Sequence, residues 1–417
     1  VTGGALLDVF TAVDSSKIYI KKPPSSLPSM ASRRERRQRR LERKPQGQAS
    51  SRQQRDATPS EQVSSKAKGG LLYRIYHNHY KKLLFIPFFI LLLALLQIGL
   101  QVAQTGDFLH KGVSLKGGLT LTVPINGEQV TPDQIQALLK KSYPSSDIIV
   151  RGISELGTLK GLTIEVESDA QEEEAIRTLE KGIIAQVATV VPSAPDDYSV
   201  EVIGPSLGAA FFNQTLKALL IALVLMGMVI FLYFGIGKWI KVIAVLLSII
   251  ASIIIFNVSG VFSVSVSIIL GVALAVLYVR YSPPSAAVIL AAISDIIMTL
   301  AVVNVLGIKM STAGIAAFLM LIGYSVDTDI LLSTRVLKHK KGTVYDRAVS
   351  SFKTGATMTV TSMAAALVGY LVSQSTTIKE IMLIIFIGGI MDLINTWLQN
   401  AGIIRLYAER RKAELGE

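Results

Sequence analysis

Long apolar runs, broken by short polar or basic stretches, occupy most of this chain, and one polar block interrupts them early. A run of about 20 apolar residues can cross ~30 Å of hydrocarbon as a helix. The pattern predicts such spans at residues 83–101, 216–234, 239–257, 262–279, 285–306, 312–333, 355–373 and 379–400. Between the first two, residues 103–214 carry the periods of a folded polar domain. The stretch Gly118-Leu-Thr-Leu-Thr-Val-Pro-Ile125 alternates as a strand does. Residues 131–143 read as a helix, with Thr131 as its cap and Pro132 at its first position. Residues 147–154 and 159–167 read as strands joined by a short glycine-containing turn, 169–184 as a helix and 198–203 as a last strand. The order β-α-β-β-α-β predicts a small ferredoxin-like α+β sandwich.

Composition sharpens the class. Half of the 417 residues are hydrophobic and 17% are charged, which excludes an ordinary soluble protein of this length and fits a polytopic membrane protein. The absence of cysteine excludes disulfides and thiolate metal sites. The net charge of +12 is uneven, and orientation follows from Lys and Arg. Lys81 and Lys82 place the amino terminus inside, hence residues 103–214 outside. Lys238, Lys241, Arg280, the loop 335–353 and the tail 405–412 then all fall on the inner face. The predicted fold class is a polytopic α-helical membrane protein with one extracytoplasmic α+β domain and both termini cytoplasmic. Its expected parts are a disordered basic cytoplasmic tail (1–72), a first transmembrane helix (73–102), the extracytoplasmic domain (103–214), a transmembrane bundle (215–404) and a second cytoplasmic tail (405–417). The first helix carries an interfacial anchor of Tyr73, Tyr76, Tyr80, Lys81 and Lys82. The chain begins at Val1 and its first methionine is Met30, so a valine-coded start and a start at Met30 both fit. The amino-terminal stretch lacks the order of a cleavable signal peptide. The run Arg33-Arg-Glu-Arg-Arg-Gln-Arg-Arg40 has no interleaved aromatics; anionic lipid or a ribosome surface suits it as well as RNA, and no specific nucleic-acid partner is expected.

Candidate chemistry lies inside the spans. Asp295 falls near the middle of 285–306, Asp327 and Asp329 in the last third of 312–333, and Asp392 in 379–400. An acid at the centre of a membrane helix costs roughly 2.5–3.5 kcal/mol on insertion scales. One reading has Asp327 and Asp329 solvated among headgroups, and Asp295 and Asp392 as structural hydrogen-bonding groups. The other has them facing neighbouring helices as an ion path or a switch. Ser325, Asp329 and Ser333 recur every four residues and share one helical face, whereas Asp327 falls on another with Gly323. Arg335, one or two turns on, is placed to compensate Asp329 or Asp327. Gly323, Gly355, Gly369, Gly388 and Gly389 allow close helix approach. His110 stands alone, and Glu172-Glu-Glu174 opens a helix, where the dipole favours acids. No nucleophile–base pair or metal-ligand spacing is present, and Gly112–Gly118 lacks the Gly-Lys-Ser/Thr ending of a phosphate loop. No catalytic residue, cofactor or metal is predicted.

Five motifs carry a resemblance. They are Gly112-Val-Ser-Leu-Lys-Gly-Gly118, with its paired Gly117 and Gly118; Gly204-Pro-Ser-Leu-Gly208; Ser294-Asp295; Ile322-Gly-Tyr-Ser-Val326, containing Gly323, Tyr324 and Ser325 ahead of the two acids; and Arg335. Across residues 73–412 the sequence resembles the SecD/SecF family of protein-export membrane proteins, SecF of archaeal type, in the resistance-nodulation-division superfamily. The resemblance implies six spans with a ferredoxin-like external domain between the first and second, a SecD partner, and work beside a SecY-type translocon on a translocating polypeptide. It implies that proton motive force helps to draw polypeptide outward, with Asp295, Asp327, Asp329, Arg335 and Asp392 as the intramembrane polar set. Two departures stand out. Val326 is followed by Asp327-Thr328-Asp329 where bacterial members have Asn-Asp-Thr. About 45 residues, near 235–279, are additional and apolar enough for two helices. They are either a pair added beside the second span or contain, in 262–279, the segment that takes its place. A second function class, a self-sufficient proton-coupled transporter of small molecules or lipids, is disfavoured because such pumps carry about twice the spans and two large external domains.

Overall fold

The computed structural model describes residues 80–415, apart from 126–129, 145, 156–157, 168–172, 193, 195–196, 258–260 and 340–341. The expectations for the tail 1–72, its arginine run, the chain start, and Tyr73 and Tyr76 lie outside the described residues. The first helix, α1 (Phe85–Thr105), runs into a single helical turn, α2 (Val113–Lys116). An α+β unit follows: β1 (Gly118–Pro124), α3 (Pro132–Ser142), β2 (Ile148–Glu155), β3 (Thr158–Glu167), α4 (Glu173–Val187) and β4 (Ser199–Ile203). All pairings are antiparallel and the sheet order is β2-β3-β1-β4, so the four-stranded ferredoxin-like topology is present. Alternation explains the core. Leu119, Leu121 and Val123 point to the helix side of β1 and pack with Leu162 and Ile164 of β3, Ile135 and Leu139 of α3, and Ile183 and Val187 of α4. Thr131 caps α3 with the reciprocal Gln134 bond of a capping box.

The bundle consists of α5 (Pro205–Phe234), α6 (Lys238–Asn257), α7 (Val261–Tyr281), α8 (Pro283–Val305), α9 (Thr312–Lys338), α10 (Val344–Val372) and α11 (Thr376–Ile394). The last helix continues through a π-helical turn, Asn395–Asn400, into α12 (Ala401–Leu415). Among the described residues seven helices are long and apolar enough to cross a membrane; within α7 the apolar helix Ser265–Tyr281 is shorter. α8 and α9 are the most enclosed. Ile230 of α5 packs with Val288 and Ala292 of α8 and with Ile322 and Val326 of α9. α6 and α7 lie against the other face of α5, where Phe231 meets Ala244, Leu274 and Tyr278, and the Phe231 and Tyr278 rings lie 5.0 Å apart. The first helix is tied to the last: Tyr80 donates to Glu409 at 2.5 Å and stacks on the Arg405 guanidinium.

The α+β unit is stitched to the bundle at the turn between α8 and α9. Gly112 N donates to the Met310 carbonyl at 2.8 Å and Met310 N to the His110 carbonyl at 2.7 Å. Lys309 reaches Asp147 at 2.7 Å and Glu167 at 2.6 Å, and Lys116 holds Glu167 at 2.8 Å. The two glycine motifs meet here. Gly117 has φ +105°, and a Cβ on it would lie 2.6 Å from Pro205 Cα; a Cβ on Gly208 would lie 2.9 Å from Gly117 N. Glu380, a half-buried acid near the start of α11, accepts from Ser311 N at 2.7 Å and so joins α11 to the cap of α9.

Candidate functional site: an intramembrane carboxyl cluster

Three carboxyls converge where α8, α9 and α11 meet the π-helical turn. Asp295 of α8 is about 1% exposed. Its Oδ2 accepts from the Ser325 hydroxyl of α9, and its Oδ1 from Asn395 Nδ2 at 2.7 Å. Asp329, one turn beyond Ser325, is fully buried. Its Oδ1 accepts from Thr396 Oγ1 at 2.9 Å and Asn400 Nδ2 at 2.8 Å. Asp392 accepts from the same Thr396 hydroxyl at 2.9 Å and, through Oδ2, from Thr359 of α10 at 3.0 Å. Around this core Gln399 donates to Ser294 Oγ at 3.2 Å.

The local helix geometry makes the cluster possible. A π turn is wider than an α turn and is frequent at functional sites. Here Asn395, Thr396, Gln399 and Asn400 are all fully buried. Asn395, Thr396 and Asn400 present two amides and a hydroxyl to Asp295, Asp329 and Asp392, and Gln399 reaches Ser294. Trp397, in the same turn, lodges against Gly355 of α10, where a Cβ would lie 2.6 Å from the indole.

Donors are short in this site. Thr396 has one hydroxyl proton and lies against two carboxyls, so it cannot give both a full hydrogen bond unless one carboxyl carries a proton of its own. Asp329 Oδ2, Asn395 Oδ1 and Asn400 Oδ1 are buried without a hydrogen-bond partner among the described residues. None of the three acids forms an ion pair with Lys or Arg among the described residues. Buried polar groups left unsatisfied are costly. A proton added to any of these carboxyls supplies a donor that the cluster lacks, and moving it relocates the bonds. Chemically, the arrangement can hold a proton among its carboxyls. No group of three His, Asp or Glu side chains suited to a metal ion occurs among the described residues.

Of the residues singled out from sequence, Asp295, Ser325, Asp329 and Asp392 come together. Asp327 does not join them: it is exposed on the opposite face of α9, beside the exposed Gly323 and Tyr324. A Cβ on Gly323 would touch nothing within 4 Å. Gly117 and Gly118 lie at the root of the α+β unit. The expectation that Arg335 would compensate Asp329 or Asp327 is corrected. Six residues along a helix is about 9 Å, and the Arg335 guanidinium turns to α10, donating to the Ser350 carbonyl and the Thr354 hydroxyl, each at 3.0 Å. Sequence reasoning missed Thr359, Asn395, Thr396, Gln399 and Asn400. The signal was present, because polar residues at 392, 395, 396, 399 and 400 share one helical face inside an apolar run.

The family model for the C-terminal region of the protein-export membrane proteins SecD/SecF matches residues 256–410, which hold all three acids. SecF of Pyrococcus furiosus is 30% identical over 334 residues, covering 80% of this chain and 93% of that protein. The chain belongs to the SecF family of protein-export membrane proteins. SecF of Methanothermobacter thermautotrophicus is also 30% identical, over 80% of this chain and 94% of its own length. SecF of Haloferax volcanii is 42% identical over 130 residues, 30% of this chain and 44% of that protein. Among solved structures, SecDF of Thermus thermophilus, a translocon-associated membrane protein, aligns with a TM-score of 0.48 at 17% identity. That alignment covers 80% of this chain, which spans 39% of the SecDF chain. SecF membership makes this a multi-pass, non-enzymatic export membrane protein.

Proposed function

We propose that this SecF-family chain is an accessory subunit of the Sec translocase. It acts with SecD beside a SecY-type channel to promote export of polypeptide across the cytoplasmic membrane, and proton movement through the Asp295–Asp329–Asp392 cluster drives its cycle. The observation that carries the reading is the single Thr396 hydroxyl shared by Asp329 and Asp392 in a buried site without a cation among the described residues. Proton transfer there changes which helices are bonded to one another. The domain assignment follows the same reading: the α+β unit is extracytoplasmic and the basic turns are cytoplasmic, supported by the bias of Lys and Arg.

The exposed face of α9 supports a membrane partner. Gly323, Tyr324 and Asp327 lie uncovered in a span whose other face is buried. An acid turned to hydrocarbon is expensive, and a glycine beside it admits a close helix. A SecD helix meets both requirements.

Asp295→Asn tests proton coupling. Asn keeps the shape and can bond both Ser325 and Asn395, but it does not titrate. The variant is expected to assemble with SecD normally and to lose the stimulation of export. Asp295→Leu, which abandons the Asn395 and Ser325 bonds, is expected to impair assembly as well. An Asn variant that exports at the wild-type rate would show that Asp295 does not carry the coupling proton.

A further inference from the structure

Arg335, which does not reach the acids, has another setting. Beside the end of α9 and the start of α10 lies a cavity of about 380 Å³ lined by Arg335, His339, Asp346, Arg347 and Ser350. Two guanidiniums border it. Arg335 is held through Nη1 by Ser350 and Thr354. Arg347 donates through Nη1 to the His339 carbonyl and through Nε to the Thr343 carbonyl at 3.4 Å. These bonds fix both forks to the backbone around the turn. Each guanidinium has five N–H donors, so both retain donors beyond the bonds to Ser350, Thr354, His339 and Thr343. Neither pairs with a carboxylate among the described residues. The one acid in the wall is committed elsewhere: Asp346 Oδ2 accepts from Thr343 N at 3.0 Å and Thr343 Oγ1 at 2.7 Å, capping α10.

Depth adds a second constraint. Lys338, on the last turn of α9, sits 3.5 Å from the Tyr233 ring centroid and 5.4 Å from that of Phe234. Aromatic rings with basic residues at the end of an apolar helix mark the boundary with headgroups. Two arginines converging on a small concavity at that depth match a phosphate group, whose oxygens accept guanidinium forks bidentately. We propose that Arg335 and Arg347 form a phosphate site that binds the headgroup of an anionic phospholipid in the adjacent leaflet. The bound lipid clasps the α9–α10 turn from outside the bundle. This site is separate from the carboxyl cluster and stands or falls independently of proton coupling.

The test uses the full chain reconstituted in phosphatidylcholine vesicles doped with spin-labelled phosphatidylglycerol, reading the immobilised lipid fraction. Wild type is expected to prefer phosphatidylglycerol. Arg335→Gln with Arg347→Gln should weaken that preference about tenfold or more, the order expected for losing charge-assisted hydrogen bonds. Arg335→Lys with Arg347→Lys keeps the charge and loses the fork, and should fall between; it carries the comparison if the Gln pair fails to fold. Lys353→Gln, a charge control on α10 outside the cavity, should retain the wild-type preference. Inorganic phosphate that leaves the lipid bound identifies a headgroup site, and phosphate that displaces the lipid assigns the same pocket to free phosphate. Equal immobilisation by wild type and both arginine pairs, or equal loss in Lys353→Gln, would overturn the site.

Discussion

Thr396 is the residue on which the cluster turns. Its hydroxyl touches two carboxyls from different helices, or helix segments, at the same 2.9 Å. Thr396→Val keeps the shape, removes the hydroxyl and leaves two buried acids short of a donor. The expected loss is about 1–3 kcal/mol, seen as an earlier thermal unfolding midpoint in detergent, with Thr396→Ser near wild type. If the valine variant melts with the wild type, the hydroxyl does not join the two acids. At this scale the sequence was half legible. An aspartate in an apolar run announces itself because a charge there is so expensive, and Asp295, Asp329 and Asp392 were readable for that reason. Thr396, Asn395 and Asn400 were harder, since amides and hydroxyls are tolerated in membrane helices for many purposes. The π turn that aims them leaves no sequence mark of its own. Arg335 misled because proximity along a helix says nothing about which neighbouring helix a long side chain will choose.

Among the elements, the junction of the α+β unit with the α8–α9 turn and the α6–α7 hairpin each make a claim. In the junction, partial burial tends to push the Asp147 carboxyl up, but the Lys309 hydrogen bond and charge hold it below its ordinary value of 3.8. Lys116 is raised above 10.5, chiefly by its bond to Glu167. The signs are opposite. A lowered carboxylate stabilises fully above its unfolded pKa and loses that contribution as pH falls through the folded value; a raised amine does so below its unfolded pKa and loses it as pH rises through the folded one. The ionic contacts should therefore hold from about pH 4 to about pH 10 and fail outside that window. Hydrogen exchange at Met310 N, followed against pH, measures this; protection lost already between pH 5 and 6 would contradict it. The hairpin is a different case. Alternation and caps made the β-α-β-β-α-β order readable strand by strand, because half-buried strands and capped helices have strict periods. No such rule tells an added apolar helix from a core one. Packing distinguishes them: Ile230 of α5 faces α8 and α9, while α6 and α7 meet the Phe231 side, where Ala286 and Ile289 at the edge of α8 join them. Deleting residues 235–279 should therefore leave a membrane-inserted chain that still co-purifies with SecD. Loss of SecD from that deletion would make the hairpin part of the core.

For the whole molecule the open matter is direction across the membrane. Ser142, exposed at the end of α3, is expected to face outward. A cysteine placed there, in a chain that has none of its own, should react with a membrane-impermeant maleimide on intact cells. Reaction only after lysis would invert the orientation. The α+β unit is also attached to the bundle by the chain leaving α1, by the chain joining β4 to α5, and by non-covalent contacts at the α8–α9 turn, those of Lys309 and Met310 among them. A body pinned at one point swivels, and one pinned at two points hinges about the line between them. A third attachment off that line removes the last rotation, and here it is non-covalent: the Lys309 and Met310 contacts, joined by Asn304 Nδ2 to the Phe108 carbonyl at 2.9 Å and Thr312 N to Ser114 Oγ at 3.1 Å. Lys309 and the paired amides at Met310 thus act as a latch. With the latch closed, a tug on the unit is delivered to the head of α9, the helix that carries Ser325 and Asp329.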